Sequence, residues 1–470
     1  MRKASVHRRF LPLLFFDDGH LARRFHDNSN IVMSTLKLYE RLADELAKAI
    51  AEGRLPGGSA LPTHREFASQ RRIGLSTATR IYAELQRQGL IVGEVGRGTF
   101  VRERPIEPGL LSEAVRYTAL ARTAETIDAP TLRQALRTVS GPSDIERLTA
   151  QTSPFGSAST RRAIGAYLER RQLGLMVDSA RIVITWGGLA AMRLAALLNL
   201  QRGQRVASDA VTYPGWRLVM EQLGLDVMPV GFDHAGPELE KLEWLFRRKR
   251  VTALHCMPTA HHPLGWVVPL QRRREIVALA RKHDVALLED VTYNHLVPGA
   301  PPTLAELAPE RTWLVGSLSG VMGDGLRFGY LVAPRMLEAR LERTAFSWGL
   351  AAPPLVAELA RLWLEDGTIA SLQNAQREHA KQLWRAASSV GLKTHSPSSS
   401  GWLLWLPLPP GYRSETAVLK LRQQGIDALS SEPFAIGASK PNAVAVRMRM
   451  LTSATLKEVA PVVLAACGLS

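Results

Sequence analysis

The spacing of apolar residues changes character twice along the chain. Leu38, Leu42, Leu46 and Ile50 recur at four-residue intervals, which predicts an amphipathic helix opening near Met33 and stopped by Gly53. After the turn R-L-P-G-G-S-A-L-P, Thr63 with Glu66 three residues on forms a capping box for a second helix, T-H-R-E-F-A-S-Q. A third helix is predicted over about Leu75–Gln88, with Ala78, Ile81 and Leu85 on one face and Ser76, Thr77, Thr79 and Arg80 on the other. The run L-I-V-G-E-V-G-R-G-T-F-V then reads as two β segments around a Gly-Arg-Gly tip. Helix, helix-turn-helix and hairpin in this order predict a winged helix over residues 34–102. Its third helix suits a major groove, and its wing the backbone or minor groove.

Pro105, Pro108 and Gly109 interrupt regular structure, and residues 103–150, with some helical stretches, are expected to form a linker. From 151 to the C-terminus the period switches. Strand-like R-I-V-I-T, R-V-A-S-D, D-V-M-P-V, V-T-A-L-H-C-M, V-A-L-L-E-D and T-W-L-V-G-S alternate with helical patterns, the first of them over 188–200. Such alternation predicts an α/β domain with a mostly parallel sheet, whose ligands sit at the carboxyl ends of strands. Residues 1–33 contain R-R-F-L-P-L-L-F-F followed by Asp17 and Asp18. That apolar run is too short for a secretory segment, so the stretch is expected to be a disordered extension or to precede a natural start at Met33.

Composition narrows the function classes. The 470 residues, 46% hydrophobic and 22% charged, suffice for two or three domains with a large core. No apolar run approaches the roughly 18 residues that span a bilayer, so no membrane association is expected. Two cysteines, Cys256 and Cys467, provide neither a disulfide framework nor a metal cluster, which fits a reducing cytoplasm. A net charge of +16 points to a polyanionic partner. Basic residues are denser at the N-terminal end, where residues 1–105 hold 18 Lys and Arg against 11 Asp and Glu.

The most specific chemistry lies in V-G-S-L-S-G-V-M-G-D-G-L-R-F-G-Y, residues 315–330. Ser317, Ser319, a run of glycines and Arg327, which the pattern suggests is buried, describe an anion cradle. Upstream, I-T-W-G-G-L-A-A-M is a strand, a glycine turn and a helix start, which suits a phosphate on the N–H groups of Gly188 and Leu189.

Two resemblances organise these motifs. L-P-T-H-R-E-F-A and E-V-G-R-G-T-F-V resemble the GntR-type DNA-binding domain. That resemblance makes Arg65, Ser76, Thr77, Thr79, Arg80 and Arg97 candidate contacts to double-stranded DNA. The cradle is similar to the S-x-S-K-x-x-x-x-G-x-R-x-G segment of fold-type I aminotransferases, which bind pyridoxal phosphate; Ser317, Ser319, Gly325, Arg327 and Gly329 fall in place. By the same resemblance Asp290 pairs with the pyridinium nitrogen, Tyr293 reaches the ring hydroxyl, Tyr213 stacks on the ring, and Gly188 sits at the phosphate. His262, in C-M-P-T-A-H-H-P-L-G, falls where the family has an asparagine. Arg447 matches the arginine that holds a substrate carboxylate, with Arg449 as its alternative. Together the chain resembles MocR/GabR-type regulators, a GntR-type head fused to an aminotransferase-like body. This implies a homodimer and a small-molecule effector.

The resemblance breaks at three positions. Gly320 stands where the lysine that binds the cofactor covalently belongs, His262 replaces the asparagine, and Leu189 replaces a glutamine beside the phosphate. Without the lysine amine neither covalent capture nor transamination is possible, and Lys282, the nearest upstream, is expected to be solvated. The expected protein is therefore a DNA-binding regulator without catalytic residues or a metal, holding pyridoxal phosphate noncovalently at most. A working aminotransferase and an effector-free dimeric DNA-binding scaffold are the alternatives.

Overall fold

The computed structural model describes residues 28–51, 54–55, 59–87, 90–94, 98–101, 126–150, 153–170, 177–334, 339–392, 401–437 and 441–469. They fall into two compact units, one within residues 1–109 and one within 110–470.

In the N-terminal unit, helices Asn28–Ala51, His64–Arg71 and Leu75–Arg87 pack around Leu42, Leu46, Ile50, Phe67, Ala78, Ile81 and Leu85. The first helix starts at Asn28, ahead of the expected opening at Met33 and inside the stretch expected to be disordered. The capping box is complete. Glu66 N–H donates to Thr63 Oγ1 at 3.3 Å, and the Glu66 carboxylate accepts from Thr63 N–H at 2.8 Å. Two orphan donors at the helix start are thereby satisfied. The wing is an antiparallel pair, β2 (Ile91–Glu94) and β3 (Gly98–Val101), in a register that brings Glu94 opposite Gly98. A short strand, β1 (Ala60–Leu61), adds to β3 and makes a three-stranded sheet that the turn-rich sequence had not suggested.

In the C-terminal unit seven strands form one sheet in the order β4-β12-β11-β10-β9-β5-β6. They are β4 (Ile182–Thr185), β5 (Arg205–Asp209), β6 (Asp226–Val230), β9 (Val251–Cys256), β10 (Ala286–Asp290), β11 (Thr312–Ser317) and β12 (Gly329–Val332). Between β6 and β9 lies a two-stranded hairpin, β7 (Phe232–Asp233) and β8 (Gly236–Pro237). Every expected strand forms. The central strands β9 and β10 are buried except near their starts, at exposed Thr252 and half-buried Ala286, as a sheet covered on both faces requires. β12 alone runs antiparallel to its neighbours β4 and β11, so Gly329 at its start lies at the same sheet end as Thr185 and Ser317. A second sheet, β13 (Leu403–Pro407), β15 (Ala443–Arg447) and β14 (Ala428–Ser430), packs with helices Thr368–Ser389, Ser414–Gln423 and Ser453–Cys467 around Leu383, Leu404, Leu421 and Leu456.

Within the expected linker, residues 129–138 and 142–149 are helices of this unit. Ala135 and Val139 enter its core beside Ile164 and Trp363, and Arg147 pairs with buried Glu358 at 3.1 Å. The packing of the body therefore begins before residue 150. The apolar stripe Leu132, Ala135, Val139 is what carries it there.

Candidate functional site

One cavity of about 130 Å³ opens at the carboxyl ends of the central strands. It is lined by Gly188, Tyr213, Asp290, Tyr293, Ser317, Ser319, Arg327 and Arg447, residues drawn from five segments that span 260 positions of the sequence. Parallel strands make this convergence automatic, because each crossover returns its strand end to the same edge.

The glycine turn shapes the first wall. Gly187 adopts φ 82° and hands over to the helix Gly188–Asn199, whose first N–H groups have no partner within the helix. Gly329 is required opposite: a Cβ there would lie 2.5 Å from the Gly187 carbonyl carbon and 2.8 Å from Gly188 N. Ser317 and Ser319 brace the loop. Their hydroxyls lie 3.2 Å from each other and from the Phe328 carbonyl, and Phe328 N–H donates to Ser319 Oγ at 3.0 Å. Arg327, which the sequence pattern suggested is buried, is instead exposed. It follows a short 3₁₀ turn, in a left-handed conformation with φ 41°, and this turns buried Phe328 inward.

Asp290 is buried at the end of β10 and accepts Thr292 N–H at 2.8 Å. Burial pushes its pKa up to about 6, against the opposing pull of that hydrogen bond. Burial likewise raises the Tyr293 phenol to about 12, and it raises Tyr213 as well. His262 does not line the cavity. It sits behind the two tyrosines, its ring centroid 5.8 Å from Tyr213 and 5.5 Å from Tyr293. Burial, with His261 and Arg447 nearby, lowers its pKa to about 3, so it is neutral. Arg447 is buried, with Nε 2.9 Å from the Asp427 carboxylate.

Position 320 lies in the short helix Ser319–Met322. Its carbonyl accepts from Gln376 Nε2 at 2.9 Å and from the Arg449 guanidinium. Gln376 comes from the helix Thr368–Ser389 and is tied in turn to His295, 3.1 Å away. No sequence signal pointed to Gln376, because the contact crosses two elements. Asp324 was visible inside the glycine-rich motif. It lines the cavity, and burial raises its pKa against the opposing charges of Arg449 and Arg327. Among the described residues no lysine lines the cavity, and Lys282 is exposed on an ion pair with Glu243 at 2.6 Å. No group of three or more metal-ligating side chains, and no helix long and apolar enough to cross a membrane, occurs among the described residues.

In the N-terminal unit Arg65, Ser76, Thr79 and Arg80 are exposed. Thr77 is buried, contrary to the expected outward face. It lies one helical turn before Ile81 and shares the core stripe with Ala78. Thr79 Oγ1 donates to the Leu75 carbonyl at 3.0 Å, and Arg80 packs its guanidinium 4.7 Å from the centre of the Tyr39 ring. Arg97 lies outside the described residues.

Comparison with known proteins agrees with both units. Residues 123–463 match the family described as aminotransferase class I and II, and the chain belongs to that family. Residues 38–101 match the bacterial regulatory proteins of the gntR family, a helix-turn-helix DNA-binding type. Relatives with both parts are named regulators. The HTH-type transcriptional regulator YdeF of Bacillus subtilis is 26% identical over 430 residues, covering 90% of this chain and 92% of that protein. The HTH-type pyridoxine biosynthesis transcriptional regulator PdxR of Corynebacterium glutamicum is 27% identical over 63% of this chain and 65% of its own length. Among solved structures, the α-aminoadipate aminotransferase LysN of Thermus thermophilus, complexed with N-(5'-phosphopyridoxyl)-L-leucine, superposes with a TM-score of 0.66 at 20% identity. That match covers 76% of this chain and 96% of LysN, and it establishes the fold.

Proposed function

We propose that this protein is a transcription regulator whose aminotransferase-like body binds a phosphorylated, pyridoxal phosphate-like small molecule without capturing it covalently. The cavity fits such a group. Unpaired N–H groups open a helix beside the paired Ser317 and Ser319 hydroxyls and Arg327, and a buried carboxylate, Asp290, stands across from them. Ser317, Ser319, Arg327 and the N–H groups of Gly188 and Leu189 would hold the phosphate. Asp290 would hold the ring nitrogen, and Tyr213 and Tyr293 the ring. When bound, such a cofactor supplies an electron-withdrawing ring; this chain contributes orientation and charge.

The observation that carries the proposal is the state of position 320. The cradle converges on one cavity, yet the residue at the resemblance's lysine position is a glycine, and no lysine among the described residues lines the wall. With regulators among its relatives, the winged helix supplies a function that needs no catalysis. Arg65, Ser76, Thr79, Arg80 and Arg97 are its DNA-contact candidates, on a head spanning about residues 34–102. A homodimer in the cytoplasm, with the effector altering DNA affinity, completes the proposal.

The tests are thermal melts with ligand and borohydride treatment of the protein mixed with pyridoxal phosphate, followed by denaturation and gel filtration. The expected result is a raised melting temperature with pyridoxal phosphate and with pyridoxamine phosphate, and no pyridoxyl group left attached at the site after reduction. A pyridoxyl group retained there as a secondary amine, or turnover of an amino donor, overturns the noncovalent reading. The absence of any ligand effect supports the effector-free scaffold instead.

A further inference from the structure

With Asp290 assigned to the ring nitrogen, the cavity still holds a second carboxylate that has no partner. Asp324 lines the same wall as Ser319, Gly320 and Arg327. It is delivered there by backbone that glycine adopts readily: Gly323, at φ 108°, ends the short helix Ser319–Met322 and opens the 3₁₀ turn Asp324–Leu326. Asp324 is half-buried, and its Oδ2 is shielded from solvent with no hydrogen-bond partner. Among the described residues no ion pair reaches the carboxylate either. Arg449 and Arg327 oppose the cost of burying it through space alone. A carboxylate oxygen withdrawn from water without a donor costs free energy that a cationic ligand would return.

The identity of position 320 says what that cation is. A lysine there would have carried an ammonium group into this cavity; glycine removes it, while the carboxylate four residues on stays in the wall. A primary amine is protonated near neutral pH and offers three N–H donors, whereas a hydroxyl offers one and no charge. We propose that Asp324 determines the specificity of this site by accepting an ammonium group on the ligand arm that a lysine at 320 would have engaged. The preferred ligand is then a phosphorylated pyridine that carries its own amine and returns to the cavity the cation lost with the lysine. This rests on the noncovalent cofactor site proposed above.

The experiment is calorimetric titration of the full-length protein with pyridoxamine phosphate and pyridoxine phosphate, which differ only in an aminomethyl against a hydroxymethyl arm. The wild-type protein is expected to prefer the first by about tenfold or more, the difference between a charge-assisted and a neutral hydrogen bond. Asp324→Asn should remove most of that preference, chiefly by weakening pyridoxamine phosphate, and Asp324→Glu, which keeps the charge, should retain part of it. Asp324→Ser should give the same loss if Asp324→Asn does not fold. Equal weakening of both probes would make Asp324 a counter-ion that shapes the loop, and overturn the proposal. A preference that survives Asp324→Asn would place the ammonium on another group, with the same consequence. If the wild-type protein binds neither probe, the cofactor-site reading fails and this proposal falls with it; if it binds both equally, only this proposal falls.

Discussion

Replacing Asp290 by asparagine should separate stability from binding in opposite directions. Asp290 is 3% exposed, and burial moves its pKa from an ordinary 3.8 to about 6. A rise of about 2 units means that keeping the carboxylate ionised costs the ligand-free fold about 3 kcal/mol. The sign follows from proton uptake. Between pH 4 and 6 the folded protein holds a proton that the unfolded chain has released, so stability falls as pH rises through this window and is level above it. Asparagine keeps the acceptor that meets Thr292 N–H and removes the charge, but it buries two amide N–H donors, which returns part of the gain. The expected net effect at pH 7.5 is a stabilisation of about 1–3 kcal/mol. For a unit of roughly 360 residues at about 2.1 cal/mol/K each, this raises the melting temperature by about 1–4 °C. The gain should shrink at pH 5. Affinity for pyridoxamine phosphate should meanwhile fall by about 10- to 100-fold, because a charge-assisted hydrogen bond of about 1.5–3 kcal/mol is lost. Thermal melts at two pH values, with and without ligand, measure both effects. A ligand-free variant that melts lower than wild type at pH 7.5, or an unchanged ligand-induced shift, would refute the placement of Asp290 as a buried charge reserved for a ligand.

Two further predictions test the turn and the head. Gly329→Ala drives a methyl group into the Gly187 backbone, so the urea midpoint should drop by the equivalent of about 1–3 kcal/mol, with loss of phosphate-ligand affinity; a wild-type midpoint would contradict the close approach. Arg80→Ala should weaken binding to a random-sequence duplex and reduce the slope of log affinity against log salt by about 1 if the arginine meets a phosphate. An unchanged slope and affinity in a salt series would remove the third helix as the DNA-facing element.

Much of the molecule was legible in the order of its residues. Apolar patterning depends on local backbone geometry, so the three head helices, the wing and six of the seven strands of the main sheet could be read directly, while β12, hidden in the glycine-rich motif, was not. The Thr63–Glu66 box was legible for the same reason, since both partners lie within one helical turn. The face assignment of Thr77 failed because a single hydroxyl says little about which stripe of a helix is buried, and its spacing from Ile81 decided the matter.

Contacts between distant segments could not be read this way. The glycine at 320 is visible in the sequence as a missing lysine. That Arg449 stands where its side chain would go, bonded to its carbonyl across 129 residues, depends on how β15 is delivered to the end of the main sheet. Likewise only the fold left Arg327 exposed at the cavity wall and put Gln376 on the Gly320 carbonyl. Sequence alone determined which residue types are present and which elements they form, because those depend on neighbours three or four positions away. The fold alone decided which charge occupies the vacated place, because that depends on packing between elements with no short-range pattern.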